Sequence, residues 1–260
     1  MNVTSRDGTV IAYDKIGSGP SIILVGGAFQ YRSFDPNTAK LAELLSSKFT
    51  VYTYDRRGRG ESTDTLPYAV EREIEDLDSL ITEAGGSAYA FGMSSGGALT
   101  LAAAAHSSNI NKLAVYEPPF RDPDAPQLPD NFSDHLTDLL GADDQDGAVT
   151  HFLTQGVGVP EEMVAGMRQS PMWPGFTAVA PTLAYDNAIM GDSRIPVDTL
   201  SSISLPVLVI DGGNSADWVG KAIETTTKVL PNGQRQTLKG QDHNVDPVAL
   251  APVLLTFFSQ

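Results

Sequence analysis

Short apolar runs alternate with amphipathic stretches along most of the chain. Residues 21–27 (SIILVGG) form a continuous apolar run that ends in glycines, which is typical of a strand buried on both faces. Residues 71–86 (EREIEDLDSLITEAGG) show helical spacing of apolar positions and end at a glycine pair. The same patterns predict further strands and helices at the positions that follow. The strands cover residues 9–17, 49–55, 87–92, 111–117, 205–213 and 233–240, and the helices cover residues 37–48, 95–108, 215–230 and 245–260.

This alternation predicts an α/β fold with a mostly parallel central sheet and helices on both faces. The segment from about residue 118 to 196 breaks the rhythm, because it is rich in Pro, Asp and Met and shows no buried-strand pattern. We expect it to form a helical lid insertion over one edge of the sheet. The chain is therefore predicted to be a single domain over residues 1–260.

Composition narrows the classes of function. Hydrophobic residues make up 41% of the chain, enough for a core, and there is no apolar run long enough for a membrane span. No membrane is therefore expected as a partner. The net charge of −15 would repel phosphate backbones, so no nucleic acid is expected as a partner either. The absence of cysteine excludes disulfides, thiolate metal sites and a cysteine nucleophile. Residues 1–10 lack a signal-peptide pattern, so a cytoplasmic location is expected.

The stretch Gly92-Met93-Ser94-Ser95-Gly96 fits the G-x-S-x-G pattern between a predicted strand and a predicted helix. In that context the pattern is typical of a nucleophile elbow, a sharp turn that exposes a serine hydroxyl. Gly92 and Gly96 would be needed because larger side chains would collide there. The turn places Ser94 above the carboxyl ends of the strands, and it places the Ser95 N–H at a helix start, where it could stabilise an oxyanion.

A serine nucleophile needs a base, and the chain has four histidines. His106 ends the predicted helix after the elbow, while His135 and His151 lie in the insertion. His243 lies in a polar loop between the last strand and the last helix, where the base of such an elbow is expected. We therefore predict that His243 is the base.

The loop after the strand SIILV reads Gly26-Gly27-Ala28-Phe29. Its glycines leave the backbone accessible, and the Ala28 N–H is predicted as a second oxyanion donor beside that of Ser95. The alternative is an ordinary glycine-rich turn between a strand and a helix.

With these residues the chain resembles the α/β-hydrolase superfamily over nearly its full length. The stretch Asp55-Arg56-Arg57-Gly58-Arg59-Gly60-Glu61-Ser62 resembles the family's D-x-R-G-x-G-x-S turn, whose role there is mainly structural. The resemblance implies acyl transfer to water through an acyl-enzyme on Ser94, without a metal or cofactor. The cluster of Arg56, Arg57 and Arg59 could serve the turn, a substrate or a subunit contact.

The acid of the triad departs from the family's common pattern. A strand like LPVLVI is usually followed by G-x-x-D, but that slot holds Ser215, which cannot stabilise an imidazolium. Asp211 and Asp217 are nearby alternatives. Some lactone hydrolases of the superfamily instead take a glutamate at the end of the strand after the elbow helix, and Glu117 occupies that position here before two prolines. We favour Glu117.

The insertion contains several Met and aromatic residues, which make adaptable apolar walls. Phe29, Met172 and Trp173 are predicted to contact the substrate, although for each of the last two taken singly, packing of the lid onto the sheet is the stronger explanation. The predicted substrate is a medium-sized, rather apolar ester or lactone. The alternatives are an acyltransferase, lyase or cyclase on the same scaffold, and a ligand-binding protein without turnover. The sequence does not indicate an oligomeric state.

Overall fold

The computed structural model describes residues 1–106 and 108–260. Within these residues the centre is an eight-stranded sheet with the order β1-β2-β4-β3-β5-β6-β7-β8. The first two strands run antiparallel to their neighbours, and the other six are parallel. The strands are β1 (Asn2–Thr4), β2 (Val10–Gly17), β3 (Ser21–Val25), β4 (Thr50–Tyr54), β5 (Ala88–Met93), β6 (Ile110–Tyr116), β7 (Val207–Gly212) and β8 (Gly233–Leu238). The predicted α/β fold with a mostly parallel sheet is confirmed.

Helices connect the parallel strands, as the sequence pattern indicates, and several of them lie between β6 and β7. They are α1 (Pro36–Leu45), α2 (Val70–Glu83), α3 (Ser95–Ala105), α4 (Phe132–Gly141), α5 (Gln145–His151), α6 (Glu161–Arg168), α7 (Trp173–Thr177), α8 (Leu183–Met190), α9 (Val197–Ser201), α10 (Asp217–Val229) and α11 (Pro247–Ser259). The predicted helix over residues 95–108 ends at Ala105, and its residue Ser107 lies outside the described residues.

The sheet separates two apolar layers. In β3, Ile23 and Val25 belong to the layer that holds α2 and α3, whereas Ile22 and Leu24 belong to the layer that holds α1 and α11. Because alternate residues of this strand are buried on opposite faces, the strand has no polar side, which explains the continuous apolar run in its sequence.

The segment between β6 and β7 carries α4 to α9, together with a π-helical turn over Phe152–Val157 and a 3₁₀ turn over Ala180–Thr182. Its side chains form an apolar cluster of their own that includes Phe132, Phe152 and Leu183. Phe29, from the loop after β3, is buried in the same cluster. This segment is therefore packed directly onto the loop that was predicted to supply an oxyanion donor.

In the parts of the chain that the structure covers, no helix has both the length and the apolar character needed to cross a membrane.

Candidate active site

Ser94 occupies a strained turn between β5 and α3. Its backbone angles are φ 52° and ψ −124°, a conformation that residues other than glycine rarely adopt. Its N–H donates to the Tyr116 carbonyl at the end of the neighbouring strand β6 (2.9 Å). Strain of this kind persists only when the surrounding structure holds it, and it clusters at functional sites.

The glycines around Ser94 are required by close backbone packing. A Cβ atom on Gly92 would lie 2.5 Å from the Gly96 carbonyl oxygen, and one on Gly96 would lie 2.4 Å from the Val25 carbonyl oxygen. Both distances are far below a normal contact. The expected collision at these two positions is therefore present, and for Gly96 the obstacle is the end of strand β3.

His243 and Glu117 form a hydrogen-bonded pair beside this turn. The Nδ1 atom of His243 lies 2.7 Å from Oε2 of Glu117. The other carboxylate oxygen, Oε1, accepts from the Gly212 N–H (2.8 Å) and from the hydroxyl of Ser215 (2.6 Å). Glu117 is buried and follows β6 with a positive φ of 43°, while its N–H donates to the Ile210 carbonyl of β7. The carboxylate is thus held from three sides.

These contacts favour the ionised form of Glu117. Burial raises the pKa of the Glu117 carboxyl, but its hydrogen bonds, of which that to His243 counts most, outweigh burial and hold the pKa below the ordinary 4.5. A carboxylate can only accept, so the proton between the two groups lies on Nδ1 of His243 when that ring is neutral. The Nε2 atom of His243 then keeps its lone pair free to accept a proton.

Tyr116 connects the serine turn to the histidine loop. Its carbonyl accepts from the Ser94 N–H, and its hydroxyl donates to the Asp242 carbonyl next to His243 (2.6 Å). Over residues 1–106 and 108–260, Ser94 Oγ makes no hydrogen bond with the His243 ring. Bonds between a nucleophile and its base often tighten only when substrate binds.

The two alternative acids are placed differently. Asp211 is buried and accepts from Arg235 (2.8 and 3.2 Å) and from Thr237 (2.9 Å), which ties β7 to β8. Asp217 is exposed in the first turn of α10, where a carboxylate suits the helix dipole. Glu117 is the carboxylate that is hydrogen bonded to His243.

The loop after β3 lies against the serine turn. A Cβ atom on Gly27 would lie 3.0 Å from Cβ of Ser94 and 2.9 Å from the Met93 carbonyl oxygen. The Gly27 N–H donates to Oε1 of Gln30 (2.6 Å), and Phe29 has a positive φ of 66°. Ala28 follows Gly27 directly, so its N–H lies in the part of the loop that is close to Ser94.

The predicted substrate contacts lie in different surroundings. Phe29 is buried and packs edge-to-face on Phe152 and Phe176, with ring centroids 5.6 and 5.2 Å apart. Trp173 is buried 6.1 Å from the Phe176 ring, and its indole N–H donates to Asp146 (2.8 Å). Met172 is 49% exposed. Phe29 and Trp173 therefore belong to one continuous apolar cluster, whereas Met172 lies at the protein surface.

The arginines of the turn after β4 are buried in ion pairs. Arg57 pairs with Asp76 (2.7 and 2.8 Å) and with Asp7 (2.9 Å). Arg56 pairs with both carboxylate oxygens of Glu73, at 2.7 Å each. Arg59 pairs with Asp186 of α8 (2.6 Å). The sequence left three roles open for Arg56, Arg57 and Arg59, namely the turn, a substrate or a subunit contact. Their buried ion pairs agree with the first of these roles, in the packing of the turn.

Asp186 was not found by sequence reasoning. It is fully buried, and Arg56 also donates to it (2.7 Å), as does the Ser95 hydroxyl (2.7 Å). Its one local signal is an acidic residue within the mainly apolar sequence LAYDNAIM of α8. Its partners are far away in the sequence, which no local pattern reveals.

In the described portions of the chain, no three His, Cys, Asp or Glu side chains are grouped so that they could hold a metal ion.

Comparison with known proteins places these features in context. Residues 22–253 match the alpha/beta hydrolase family. An alpha/beta hydrolase from Sphaerobacter thermophilus DSM 20745 has a similar structure, with a TM-score of 0.94 and 51% identity over 99% of this chain and 100% of that one. A hydrolase from Pseudomonas aeruginosa PA01 has the same fold, with a TM-score of 0.77 and 23% identity over 100% of this chain and 98% of that one.

A sequence relative is an uncharacterised hydrolase, YraK, from Bacillus subtilis (strain 168). It is 34% identical over 117 residues, which are 43% of this chain and 42% of that protein. The match therefore spans less than half the length of this relative.

Proposed function

Since the chain belongs to the alpha/beta hydrolase family, we propose that it hydrolyses a carboxylic ester or lactone through an acyl-enzyme on Ser94. The observation that carries the proposal is the strained Ser94 turn beside a His243–Glu117 pair with an N–O distance of 2.7 Å. A serine on such a turn, a histidine with a free Nε2 and a buried carboxylate on Nδ1 are the three groups that acyl transfer needs.

In the proposed reaction, Ser94 Oγ attacks the carbonyl carbon as its proton passes to Nε2 of His243. The carbonyl π electrons move to oxygen, and the N–H groups of Ala28 and Ser95 donate to the resulting oxyanion. Each such donor contributes about 3 kcal/mol in known cases. The tetrahedral intermediate collapses, the ester C–O bond breaks, and Nε2 returns its proton to the leaving alcohol. Water then repeats these steps on the acyl-enzyme and releases the acid.

Glu117 keeps the imidazole oriented and stabilises the imidazolium formed in each step. Its carboxylate is suited to this because its hydrogen bonds hold its pKa low, so it remains charged while His243 gains a proton. Loss of this charge would leave the protonated ring without a partner.

We propose that the substrate is medium-sized and apolar. The support is the aromatic cluster of Phe29, Phe152, Phe176 and Trp173, which starts at the residue next to Ala28. Phe29 is the residue of this cluster that we assign to substrate contact, with Trp173 behind Phe176. Exposed Met172 would contact only a substrate that extends to the surface. A series of p-nitrophenyl esters should show kcat/KM rising from acetate to medium acyl chains.

The first test is reaction with a fluorophosphonate, followed by intact mass. One adduct is expected on the wild-type protein and none on Ser94→Ala, because only a hydroxyl activated by a base attacks the phosphorus readily. The Ser95→Ala variant is the matched control, since it removes the adjacent hydroxyl and should still be labelled. A folded wild-type protein that forms no adduct would contradict the proposal.

A further inference from the structure

The peptide of one proposed oxyanion donor and the side chain of the other are hydrogen bonded to one buried cluster of charged residues. These residues take no direct part in the proposed reaction. The cluster consists of Arg56, Arg59, Glu73 and Asp186, all 1% exposed or less. Two positive and two negative side chains balance one another there. Asp186 is contributed by the segment between β6 and β7, and the other three residues come from the β4–α2 region.

Arg59 acts on the donor at Ala28. Its Nη1 atom donates to the Gly27 carbonyl oxygen (2.6 Å), while its Nη2 atom donates to Asp186 (2.6 Å). The Gly27 carbonyl and the Ala28 N–H belong to the same planar peptide unit and point in opposite directions. A short charged hydrogen bond to that carbonyl therefore fixes the direction of the Ala28 N–H and polarises it.

Asp186 acts on the donor at Ser95. Its Oδ1 atom accepts from the Ser95 hydroxyl (2.7 Å) in the first turn of α3. The hydroxyl belongs to the same residue whose N–H is the other proposed donor. One carboxylate thus holds the Ser95 side chain directly and the Gly27–Ala28 peptide through Arg59.

We propose that Asp186, in the segment between β6 and β7, is a positioning residue that sets the geometry of both oxyanion donors. This rests on the proposed function, because it assigns the Ala28 and Ser95 N–H groups to the oxyanion. The charges agree with the role: burial and the Arg56 charge hold the pKa of Arg59 below its ordinary value, and the negative charges of Asp186 and Glu73 oppose that shift. A neutral side chain at residue 186 would leave Arg59 buried without its counter-ion.

The alternative is that the cluster only stabilises the fold. The Arg57–Asp76 pair allows the two roles to be separated. Asp76 is also buried and also pairs with an arginine of the same turn through both oxygens, at 2.7 and 2.8 Å. It bonds neither to the loop after β3 nor to Ser95, so Asp76→Asn is a matched control for Asp186→Asn.

The test compares the two variants with p-nitrophenyl butyrate. Asp186→Asn should lower kcat by about 10- to 100-fold with KM changed by less than about 3-fold, since part of the stabilisation from oxyanion donors is lost. Asp76→Asn should keep kcat within about 2-fold when the folded fraction, measured by circular dichroism, is equal. Inhibition by butylboronic acid, which forms a tetrahedral adduct on serine, should weaken in Asp186→Asn in proportion to kcat/KM.

Equal kcat values for folded Asp186→Asn and Asp76→Asn would overturn the positioning role alone. A wild-type protein that neither reacts with fluorophosphonate nor hydrolyses the ester would overturn the proposed function and this inference with it. If Asp186→Asn does not fold, Ser95→Ala decides the matter, because it removes the anchoring hydroxyl and keeps the N–H. Its kcat should fall by about 3- to 10-fold at constant KM, and an unchanged kcat would overturn the proposal.

Discussion

Ser94, Glu117 and Phe29 all have positive φ values, of 52°, 43° and 66°, and each lies where a strand of the central sheet ends or in the loop that follows it. Side chains with a Cβ atom seldom adopt this conformation, and each instance costs about 1–3 kcal/mol. The sheet holds the strained residues in place through hydrogen bonds between neighbouring strand ends, such as Ser94 to Tyr116 and Glu117 to Ile210. The strain thus directs the Ser94 hydroxyl and the Glu117 carboxylate toward the same end of the sheet, where the parallel strands have their carboxyl ends.

Ser215 is hydrogen bonded to the carboxylate that we propose as the acid of the triad. Its hydroxyl, in the slot where the common pattern has Asp, donates to Glu117 at 2.6 Å. The two positions are therefore adjacent, so we expect that a carboxylate at residue 215 would also lie near His243. One hydrogen bond thus joins the slot of the common pattern to the acid that we propose.

This adjacency predicts a rescue by a second substitution. Glu117→Ala should lower kcat by about 10⁴-fold, the loss found when a triad acid is replaced. Adding Ser215→Asp should recover at least about 10-fold, since it restores a carboxylate near Nδ1. Hydrolysis of p-nitrophenyl butyrate measures both changes.

The exposed Asp217 provides the control for that experiment, and Asp217→Asn should retain wild-type kcat. If the double variant were no more active than Glu117→Ala while folded, the two positions would not be interchangeable. Loss of activity in Asp217→Asn would instead indicate that Asp217 of α10 is the acid of the triad.

At the scale of elements, the sequence predicts what depends on local pattern. The strands, the main helices and the turn at Ser94 follow from periodicity and glycine spacing. Strand β1 was not predicted, because three residues at a sheet edge are too short to show alternation. The contacts of Asp186 were not predictable either, since its partners Ser95 and Arg59 are 91 and 127 residues away. Long-range ion pairs leave no periodic signal in a single sequence.

The junction between β3 and α3 can be tested with two adjacent glycines. Gly96→Ala would place a Cβ atom 2.4 Å from the Val25 carbonyl oxygen, whereas Gly97→Ala would place one 3.2 Å from the Gly92 carbonyl oxygen. Both changes gain about 1 kcal/mol of helix propensity, so the difference between them reports the collision. We expect Gly96→Ala to lower the melting temperature by several degrees more and to lower kcat more strongly. Equal melting temperatures would show that the end of β3 can move aside.

At the scale of the whole molecule, the buried and the exposed charges have opposite effects. The three buried arginines of the turn after β4 are matched by carboxylates, Arg56 by Glu73, Arg57 by Asp76 and Arg59 by Asp186. The chain as a whole nevertheless has 32 acidic and 17 basic residues, a net charge of −15. Most of the excess negative charge is therefore on the surface, where it repels itself and is open to screening by salt.

This distribution predicts a salt effect that depends on pH. At pH 7, raising NaCl from about 10 mM to about 300 mM shortens the Debye length from about 30 Å to less than 10 Å, so surface repulsion falls and the melting temperature should rise. The rise should shrink as the pH approaches 4.5, because exposed carboxylates gain protons.

Glu117 and Asp186 behave otherwise, since their pKa values are held below the ordinary 4.5 and 3.8. Their stabilising contributions are present above those ordinary values and are lost as the pH falls through the lowered ones. Thermal unfolding on a grid of pH and salt separates the two effects. A melting temperature that falls with added salt at pH 7 would mean that exposed ion pairs outweigh the net repulsion.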